Sequence, residues 1–240
     1  RVESHRSPAS KTRNNAHPAF IEFDHVTLQH ADGRVALRDI SFRVGHGERV
    51  LLSGPSGSGK SSVLALLAGF LAPTSGRILI DGHALADLDR EAWWRNLGWL
   101  EQRPEWFHGS VRDNVLIGLD FDDRVRLWRS LEHAGLADDV RALPLQADSP
   151  IGHAGVGWSG GQLQRVALAR ALARDAKLWL LDEPFAHLDA EIASALRASL
   201  AEASRGRGVL IASHDAADRR WVDRVLTLEG GQLVDRAETT

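Results

Sequence analysis

The 240-residue chain carries 29 Lys and Arg against 32 Asp and Glu, and 43% of its residues are hydrophobic, as expected for a globular protein with a sizeable core. Its formal net charge of -3 provides no general basic field that would attract nucleic acid or an anionic membrane surface. The absence of cysteine excludes a disulfide framework and a thiolate metal site.

The first 19 residues are predicted to be a flexible linker or tail. Residues 1–18 are rich in Ser, Asn, Pro and basic side chains and contain almost nothing apolar. The chain starts at Arg1 rather than at a methionine, so we expect it to be part of something longer. Residues 20–240 are expected to form the folded domain, without a membrane segment, because the longest apolar stretch is far shorter than the roughly 20 residues of a span.

A β-hairpin is predicted at the start of the folded domain. Apolar and polar residues alternate through Phe20–Leu28 and Val35–Val44, on either side of a turn at Gly33. The short apolar strand Arg49–Ser53 then runs into a glycine-rich loop and a stretch of helical character, and Arg77–Ile80 is a further strand.

The middle of the chain, from Arg90 to about Ala173, has a mostly helical pattern in which only Leu97–Leu100 is extended. Beyond it, the amphipathic stretch Asp189–Ser204 and the short Asp215–Trp221 separate three apolar strands. These strands are Lys177–Leu181, Gly208–Ala212 and Arg224–Leu228. Buried apolar strands that alternate with helices predict a mainly parallel sheet.

The glycine-rich loop matches the pattern G-x-x-x-x-G-K-[ST] of a phosphate-binding loop. Its glycines allow backbone N–H groups to surround phosphate oxygens, Lys60 is suited to reach the β and γ phosphates, and Ser61 is suited to bind Mg²⁺. A plain glycine turn is the structural alternative, but a strand before and a helix after favour a nucleotide site. The predicted contacts are Gly54, Pro55, Ser56, Gly57, Ser58, Gly59, Lys60, Ser61 and Ser62. The motif alone does not separate kinases, GTPases and ATPases.

An acidic pair, Asp182 and Glu183, ends the predicted strand Lys177–Leu181. Ligands of parallel sheets bind at the carboxyl ends of the strands, so Asp182 is expected to hold Mg²⁺ and Glu183 to act as the general base for an attacking water. Such a pair is also common in a solvated turn. Its position downstream of a phosphate loop favours the catalytic interpretation.

The sequence Trp158-Ser159-Gly160-Gly161-Gln162 precedes a helical stretch and closely resembles the L-S-G-G-Q signature of ABC ATPases. By itself it is a helix N-terminus with Ser159 as its cap, which is also an anion site. The resemblance, which covers about residues 20–235, implies that two such domains pair head to tail. Ser159, Gly160, Gly161 and Gln162 of one domain would then close over ATP held by the phosphate loop of the other.

The resemblance also implies a fold and further site residues. The fold is an α/β P-loop NTPase with a mainly parallel core sheet, an N-terminal antiparallel β subdomain and a helical subdomain that bears the signature. The RecA-like core would span about residues 20–100 and 168–235, and the helical subdomain about 103–167. Gln102 would sense Mg²⁺ and the attacking water, His214 would contact the γ-phosphate, and Asp189 would communicate across the dimer. Lys60, Gln102, Glu183 and His214 form the catalytic set, and Ser61, Gln102 and Asp182 the Mg²⁺ set.

The chain departs from the family pattern at several positions. His30 stands where an aromatic residue normally stacks on adenine, and Trp158 replaces the usual leucine of the signature. Phe185, Ala186 and His187 alter the segment before Asp189. Such departures occur in heterodimeric transporters with two unequal nucleotide sites, so we expect altered coupling between domains around an intact phosphate site.

The segment Arg103–Val115 resembles the exporter class, in which it contacts the membrane domain. We therefore expect a transmembrane domain, fused upstream, as a second partner, a location on the cytoplasmic side of the inner membrane, and no nucleic-acid partner. Within the segment, Trp106 and Phe107 are expected to form an exposed docking patch, although the aromatic residues around it also suit a core. Residues Asp148–Gly155 are similar to the cysteine or glutathione exporters of cytochrome bd assembly.

Other functions remain as alternatives. A soluble ABC ATPase acting on nucleic acid or ribosomes normally carries a long coiled-coil insertion or tandem domains, neither of which is present in this sequence. An importer-type subunit is the second alternative. A P-loop kinase needs an acceptor site, and a GTPase needs an Asn-Lys-x-Asp segment, which we do not find.

Overall fold

The computed structural model describes residues 19–120, 122–152 and 157–234. The predicted tail lies almost entirely outside the described residues, as does the part of Asp148–Gly155 from residue 153 onward. Within the described ranges, no helix has both the length and the apolar character needed to cross a membrane.

The described chain begins with three strands, continues with helices and strands, and ends with two strands. The strands are β1 Ala19–Gln29, β2 Val35–Gly45, β3 Arg49–Ser53, β4 Ser75–Ile80, β5 His83–Ala84, β6 Leu97–Leu100, β7 Gly109–Ser110, β8 Pro150–Ile151, β9 Leu178–Asp182, β10 Gly208–Ala212, β11 Arg224–Glu229 and β12 Gln232–Val234. The helices are α1 Lys60–Leu67, α2 Arg90–Arg95, α3 Val111–Val115, α4 Arg124–His133, α5 Ala137–Arg141, α6 Gly160–Ala173 and α7 Ala190–Ala203. Short 3-10 helices occupy Leu85–Asp87, Gln146–Asp148 and Ala216–Arg220.

The central sheet has six strands in the order β12-β11-β3-β10-β9-β6. All neighbours are parallel except β12, which pairs antiparallel with β11. Every residue of β9 and β10 is buried, as expected for strands covered on both faces. This confirms the predicted mainly parallel sheet.

A second sheet, in the order β2-β1-β4-β5, is antiparallel and contains the predicted hairpin. It packs with α1 against one face of the central sheet, where Val50, Leu52 and Leu180 are buried. Helices α3 to α7 cover the other face, to which the neighbouring residues Leu51 and Leu181 point. Successive strand residues alternate between two hydrophobic clusters, so both faces of the site-bearing strands are fixed by packing.

The region predicted as mostly helical contains one additional strand pair. Gly109 of β7 pairs with Ile151 of β8, and Ser110 pairs with Pro150. Strands of two residues are too short to produce a periodic pattern, which is why the sequence did not indicate them. The edge strand β12 was also missed. The predicted stretch Asp189–Ser204 corresponds to α7 with its two capping residues.

Candidate nucleotide site

One row of paired residues runs across four parallel strands: Leu100, Leu181, Ile211 and Leu51. Each strand ends within two residues of this row. The predicted site residues follow immediately, and they are Gln102, Asp182, Glu183, His214 and Gly54. The aligned register therefore places them at one carboxyl edge of the sheet, which is where parallel sheets bind ligands.

Three glycines shape the phosphate loop through positive φ angles, which are 145° at Gly54, 77° at Gly57 and 107° at Gly59. A Cβ on Gly54 would lie 2.1 Å from the Leu228 carbonyl oxygen, and one on Gly59 would lie 2.8 Å from the Ala36 oxygen. At Gly57 an added Cβ would meet nothing within 4 Å. The loop is thus held between β11 and β2 at its two ends and is open at its middle glycine.

Lys60 is the first residue of α1, and its side chain lies inside the loop. The ammonium nitrogen donates to the carbonyl oxygens of Gly54 at 2.8 Å and Pro55 at 3.1 Å. Nearby, the Ser58 hydroxyl is buried and has no hydrogen-bond partner among the described residues. A buried hydroxyl, a buried ammonium and the free N–H groups of a helix start suit phosphate oxygens, so these residues fit a nucleotide.

Ser61 is the second residue of α1, and the Asp182 carboxylate is 3% exposed at the end of β9. Burial raises the pKa of Asp182, and hydrogen bonding with Ser61 opposes the shift. Hydroxyl and carboxylate oxygens are the ligands that Mg²⁺ takes from a protein when it also binds nucleotide phosphates. This pair therefore fits a magnesium ion bound together with the nucleotide.

Glu183 follows in an uncommon backbone conformation, with φ at 49°. Its N–H donates to the Ala212 oxygen at 2.9 Å, and its carbonyl oxygen accepts from Gln164 Nε2 at 3.1 Å. These bonds hold a strained residue and aim its carboxylate at His214, whose Nδ1 lies 3.0 Å from Glu183 Oε1. The hydrogen bond and charge of Glu183 raise the pKa of His214. A carboxylate joined to an imidazole is suited to accept and stabilise a proton.

Ser159 caps α6 in a reciprocal capping box with Gln162. The Ser159 hydroxyl accepts from the Gln162 N–H at 3.1 Å, and Gln162 Oε1 accepts from the Ser159 N–H at 3.0 Å. A Cβ on Gly161 would lie 3.0 Å from the His187 oxygen, so this glycine allows the helix to approach the loop before Asp189. Asp189 in turn caps α7 by accepting from the Ile192 N–H.

Two other predicted residues lie at the margin of the site. Gln102 is exposed in the loop after β6, and His30 is half-buried in the turn between β1 and β2. Sequence reasoning missed Gln164, which is buried in α6 and holds the Glu183 backbone. It also missed Asp139, which accepts hydrogen bonds from Gln162 and Arg165. Neither residue belongs to a pattern that would have marked it.

The exporter-like segment is anchored from behind by Arg170. Its guanidinium carbon lies 5.7 Å from the ring centre of Trp106 and 5.1 Å from that of Phe107. Phe107 is 47% exposed, whereas Trp106 is half-buried and packs against the core. The predicted docking patch is therefore exposed at Phe107 and partly buried at Trp106.

Comparison with known proteins agrees with this geometry. The sequence model of a family described as "ABC transporter" matches residues 37–186, which include the phosphate loop, the signature and the acidic pair. The chain belongs to the ABC transporter family. Members of this family are ATPases that bind ATP with Mg²⁺, so ATP and Mg²⁺ are the cofactors of this chain and ATP hydrolysis is its enzymatic activity.

Several curated relatives cover 90% of this chain. An ATP-dependent lipid A-core flippase of Ralstonia nicotianae is 41% identical over 219 residues, and the Mycobactin import ATP-binding/permease protein IrtB of Mycolicibacterium smegmatis is 42% identical over 215 residues. The chain spans only 37% of the length of each. A solved structure described as a bacterial Atm1-family ABC exporter with ATP bound superposes with a TM-score of 0.85 at 30% identity, covering 98% of this chain and 41% of that one. The chain thus corresponds to one part of a longer ABC transporter protein.

Proposed function

We propose that this chain is the motor of a membrane exporter, and that it hydrolyses ATP between two ATPase domains paired head to tail. The observation that carries the proposal is the convergence of Lys60, Ser61, Asp182, Glu183 and His214 at one edge of the sheet. These residues supply phosphate binding, metal binding and a base within one contiguous set of loops.

Each side chain has a distinct task in this proposal. Lys60 and the loop amides bind the β and γ phosphates, while Ser61 and Asp182 hold Mg²⁺. The magnesium ion, when bound, neutralises charge that develops on the phosphate oxygens. Glu183 accepts a proton from the attacking water, and His214 orients the Glu183 carboxylate through their hydrogen bond. Gln102 completes the Mg²⁺ and water contacts from the loop after β6.

The head-to-tail dimer is supported by the presence of two anion-type helix starts in one chain. Helix α1 begins at Lys60 in the phosphate loop, and α6 begins after Ser159 with two glycines at its start. A single nucleotide requires only one of them. The second start, with Ser159, Gly160, Gly161 and Gln162, is assigned to the nucleotide of the partner domain, with Asp189 in the contact between domains and His30 against the adenine.

The membrane part of the proposal rests on the relatives and their length. Two of them are described as combined ATP-binding and permease proteins, and the chain covers 36–37% of these. We therefore place a transmembrane domain upstream of this chain and the chain on the cytoplasmic side of the membrane. The direction of transport is itself proposed, because one relative is named for flipping and another for import. Export is favoured by the exporter-like segment Arg103–Val115 and by the Atm1-family likeness.

Cysteine or glutathione remains the proposed substrate class, on the resemblance of Asp148–Gly155 alone. The relatives named for lipid A-core and mycobactin show that the same ATPase type serves chemically different cargo. Two assays on inside-out vesicles with the complete transporter separate these substrates: uptake of labelled glutathione into the lumen, and movement of labelled lipid A from the outer to the inner leaflet. ATP-dependent movement of the lipid without uptake of the thiol would overturn the thiol assignment.

The catalytic proposal is tested by Glu183→Gln, which keeps the side chain's shape and removes the carboxylate. We expect turnover to fall about 100- to 10,000-fold, equivalent to about 3–5 kcal/mol in the barrier, while ATP binding is retained. Phosphate release and nucleotide affinity are measured on the same preparation. Glu202→Gln, an exposed residue of α7, is the matched control and should leave turnover unchanged. Normal turnover in Glu183→Gln would remove this residue from the base role.

A further inference from the structure

Arg197, on α7, lies between the two loops that carry the proposed base and its histidine. Its Nη2 is 2.5 Å from Asp215 Oδ2, and its Nε is 2.6 Å from Asp218 Oδ1. Its guanidinium carbon lies 4.5 Å from the ring centre of Phe185. The arginine side chain is only 14% exposed and its contact with Asp218 is shielded from water, whereas the Asp215 side chain is 50% exposed.

Two of the three contacts, those with Asp215 and Phe185, lead to a site residue. Asp215 follows His214, and its N–H donates to Ser213 Oγ, which fixes the chain on either side of the histidine. Phe185 lies two residues beyond Glu183, and its ring is held edge-on by Trp221 with ring centres 6.4 Å apart. One guanidinium therefore joins the loop of the base to the loop of the histidine.

Arg197 is the only cation that the described structure pairs with Asp218. Asp218 is 0% exposed, and its Oδ2 has no hydrogen-bond partner among the described residues. The ion pair with Asp218 thus fixes the guanidinium in place. From this position the guanidinium also contacts Asp215 and the ring of Phe185. The planar guanidinium of arginine can donate to both carboxylates and stack on the Phe185 ring at the same time, whereas the single ammonium group of a lysine cannot.

We propose that Arg197 is a positioning residue for ATP hydrolysis, which holds the Glu183 and His214 loops at the separation that forms their 3.0 Å hydrogen bond. This inference rests on the roles proposed above for Glu183 and His214. Arg197 touches neither of them directly, and it acts through Phe185 on one side and Asp215 on the other. Loosening either contact lets the histidine leave the carboxylate without altering the phosphate loop.

The competing interpretation is that Arg197 only offsets the buried charge of Asp218. That role predicts loss of stability but no specific effect on the histidine. The two roles predict different effects of an Arg197 substitution on the pKa of His214. The charged groups that act on this pKa are Glu183, Lys60 and Asp215. Glu183 raises this pKa through the hydrogen bond that Arg197 is proposed to maintain.

The test uses Arg197→Lys in the complete transporter for kinetics and in this chain for NMR titration of the His214 ring, identified by its loss in His214→Ala. We expect turnover to fall about 10- to 100-fold, the scale of a misplacement of about 1 Å, with ATP affinity unchanged within about twofold. The pKa of His214 should fall toward its ordinary value of 6.5. In a His214→Ala background, Arg197→Lys should cause no further loss of turnover.

Arg141→Lys is the matched control. Arg141 also bridges two carboxylates, Glu132 and Asp138, and lies 5.0 Å from the ring centre of Trp128, and these contacts involve neither the Glu183 loop nor the His214 loop. It should change neither turnover nor the His214 pKa. Should Arg197→Lys fail to fold, Phe185→Leu removes the ring that the guanidinium stacks on and leaves Asp215 and Asp218 paired with Arg197, and the same shifts are expected.

Three results would overturn the inference: an unchanged His214 pKa in the variant, equal losses of turnover with and without His214, or an equal response in Arg141→Lys. If His214→Ala itself hydrolyses ATP normally, the proposed role of the histidine fails instead. The titration of the ring still decides whether Arg197 positions it, because that measurement requires no turnover.

Discussion

Gly54→Ala tests whether close backbone approach, rather than positive φ alone, explains the first glycine of the phosphate loop. Gly54 and Gly57 both have positive φ, at 145° and 77°. A methyl on Gly54 would lie 2.1 Å from the Leu228 oxygen and 2.9 Å from Ser58 Oγ, whereas one on Gly57 would enter open space. Both substitutions therefore carry a conformational cost, and only Gly54→Ala adds a steric cost.

The magnitudes follow from these contacts. The conformational cost alone is about 1–2 kcal/mol for Gly57→Ala. At Gly54, β11 must also move by about 1 Å to relieve an overlap with a backbone oxygen, which adds about 1–3 kcal/mol. The difference of about 2 kcal/mol corresponds to about 4–8 °C in Tm for a domain of this size. Urea unfolding and calorimetry without nucleotide measure both quantities.

Equal destabilisation of the two variants would refute this reasoning, because it would mean that the contact with Leu228 carries no energetic weight. Nucleotide affinity provides a second check. Movement of β11 displaces the first residue of the loop, which accepts the hydrogen bond of Lys60, so Gly54→Ala should also weaken ATP binding. Gly54→Ala with normal affinity and normal stability would contradict both parts.

Two further predictions concern buried polar groups. Burial raises the pKa of Asp182, so the folded state binds more protons there and the charged carboxylate costs stability at neutral pH. Asp182→Asn should therefore stabilise the nucleotide-free chain in urea unfolding, with the gain shrinking as pH falls, while abolishing Mg²⁺-dependent turnover; a lower midpoint at neutral pH would contradict this. Asn114→Ala should cost about 2–4 kcal/mol, because this fully buried amide bonds Phe107, Ser110 and Arg170. Asn96→Ala, which loses one bond to Ala92, is the control and should cost about 1 kcal/mol.

The fold was predictable where a continuous apolar run coincided with deep burial. Strands β9 and β10 are apolar except for Asp182 at the end of β9, all of their residues are buried, and the sequence placed them within one residue. The missed strands β7 and β8 have two residues each, and their pairing depends on contacts between segments about 40 positions apart. Local pattern carries no information about such a pairing, which tertiary packing decides.

The site was predictable in its residue types and not in its supporting contacts. Glycine, lysine and carboxylate at fixed spacing indicate phosphate and metal chemistry, and the strand register brings these residues to one edge. The positive φ of Glu183, the buried Gln164 that holds its carbonyl, and the contacts of Arg197 have no local signature. They depend on which helices pack behind the loops, and only three-dimensional structure reports that.

The strained and unpaired groups of the nucleotide site concentrate at the sheet edge where the strands end. Glu183 has positive φ, Ser58 Oγ is buried without a partner in the described residues, and Asp182 is a buried carboxylate, whereas the preceding residues of β9 and all of β10 are uncharged and buried. A fold tolerates such groups where surrounding packing fixes them, and functional sites are where they accumulate. The departures Trp158 and Phe185 lie outside this set, and both pack against the hydrophobic cluster behind it. These two residues alter the packing around the reacting groups and leave the reacting groups themselves unchanged. We therefore expect this chain to differ from other family members in the coupling between domains rather than in the chemistry of ATP hydrolysis.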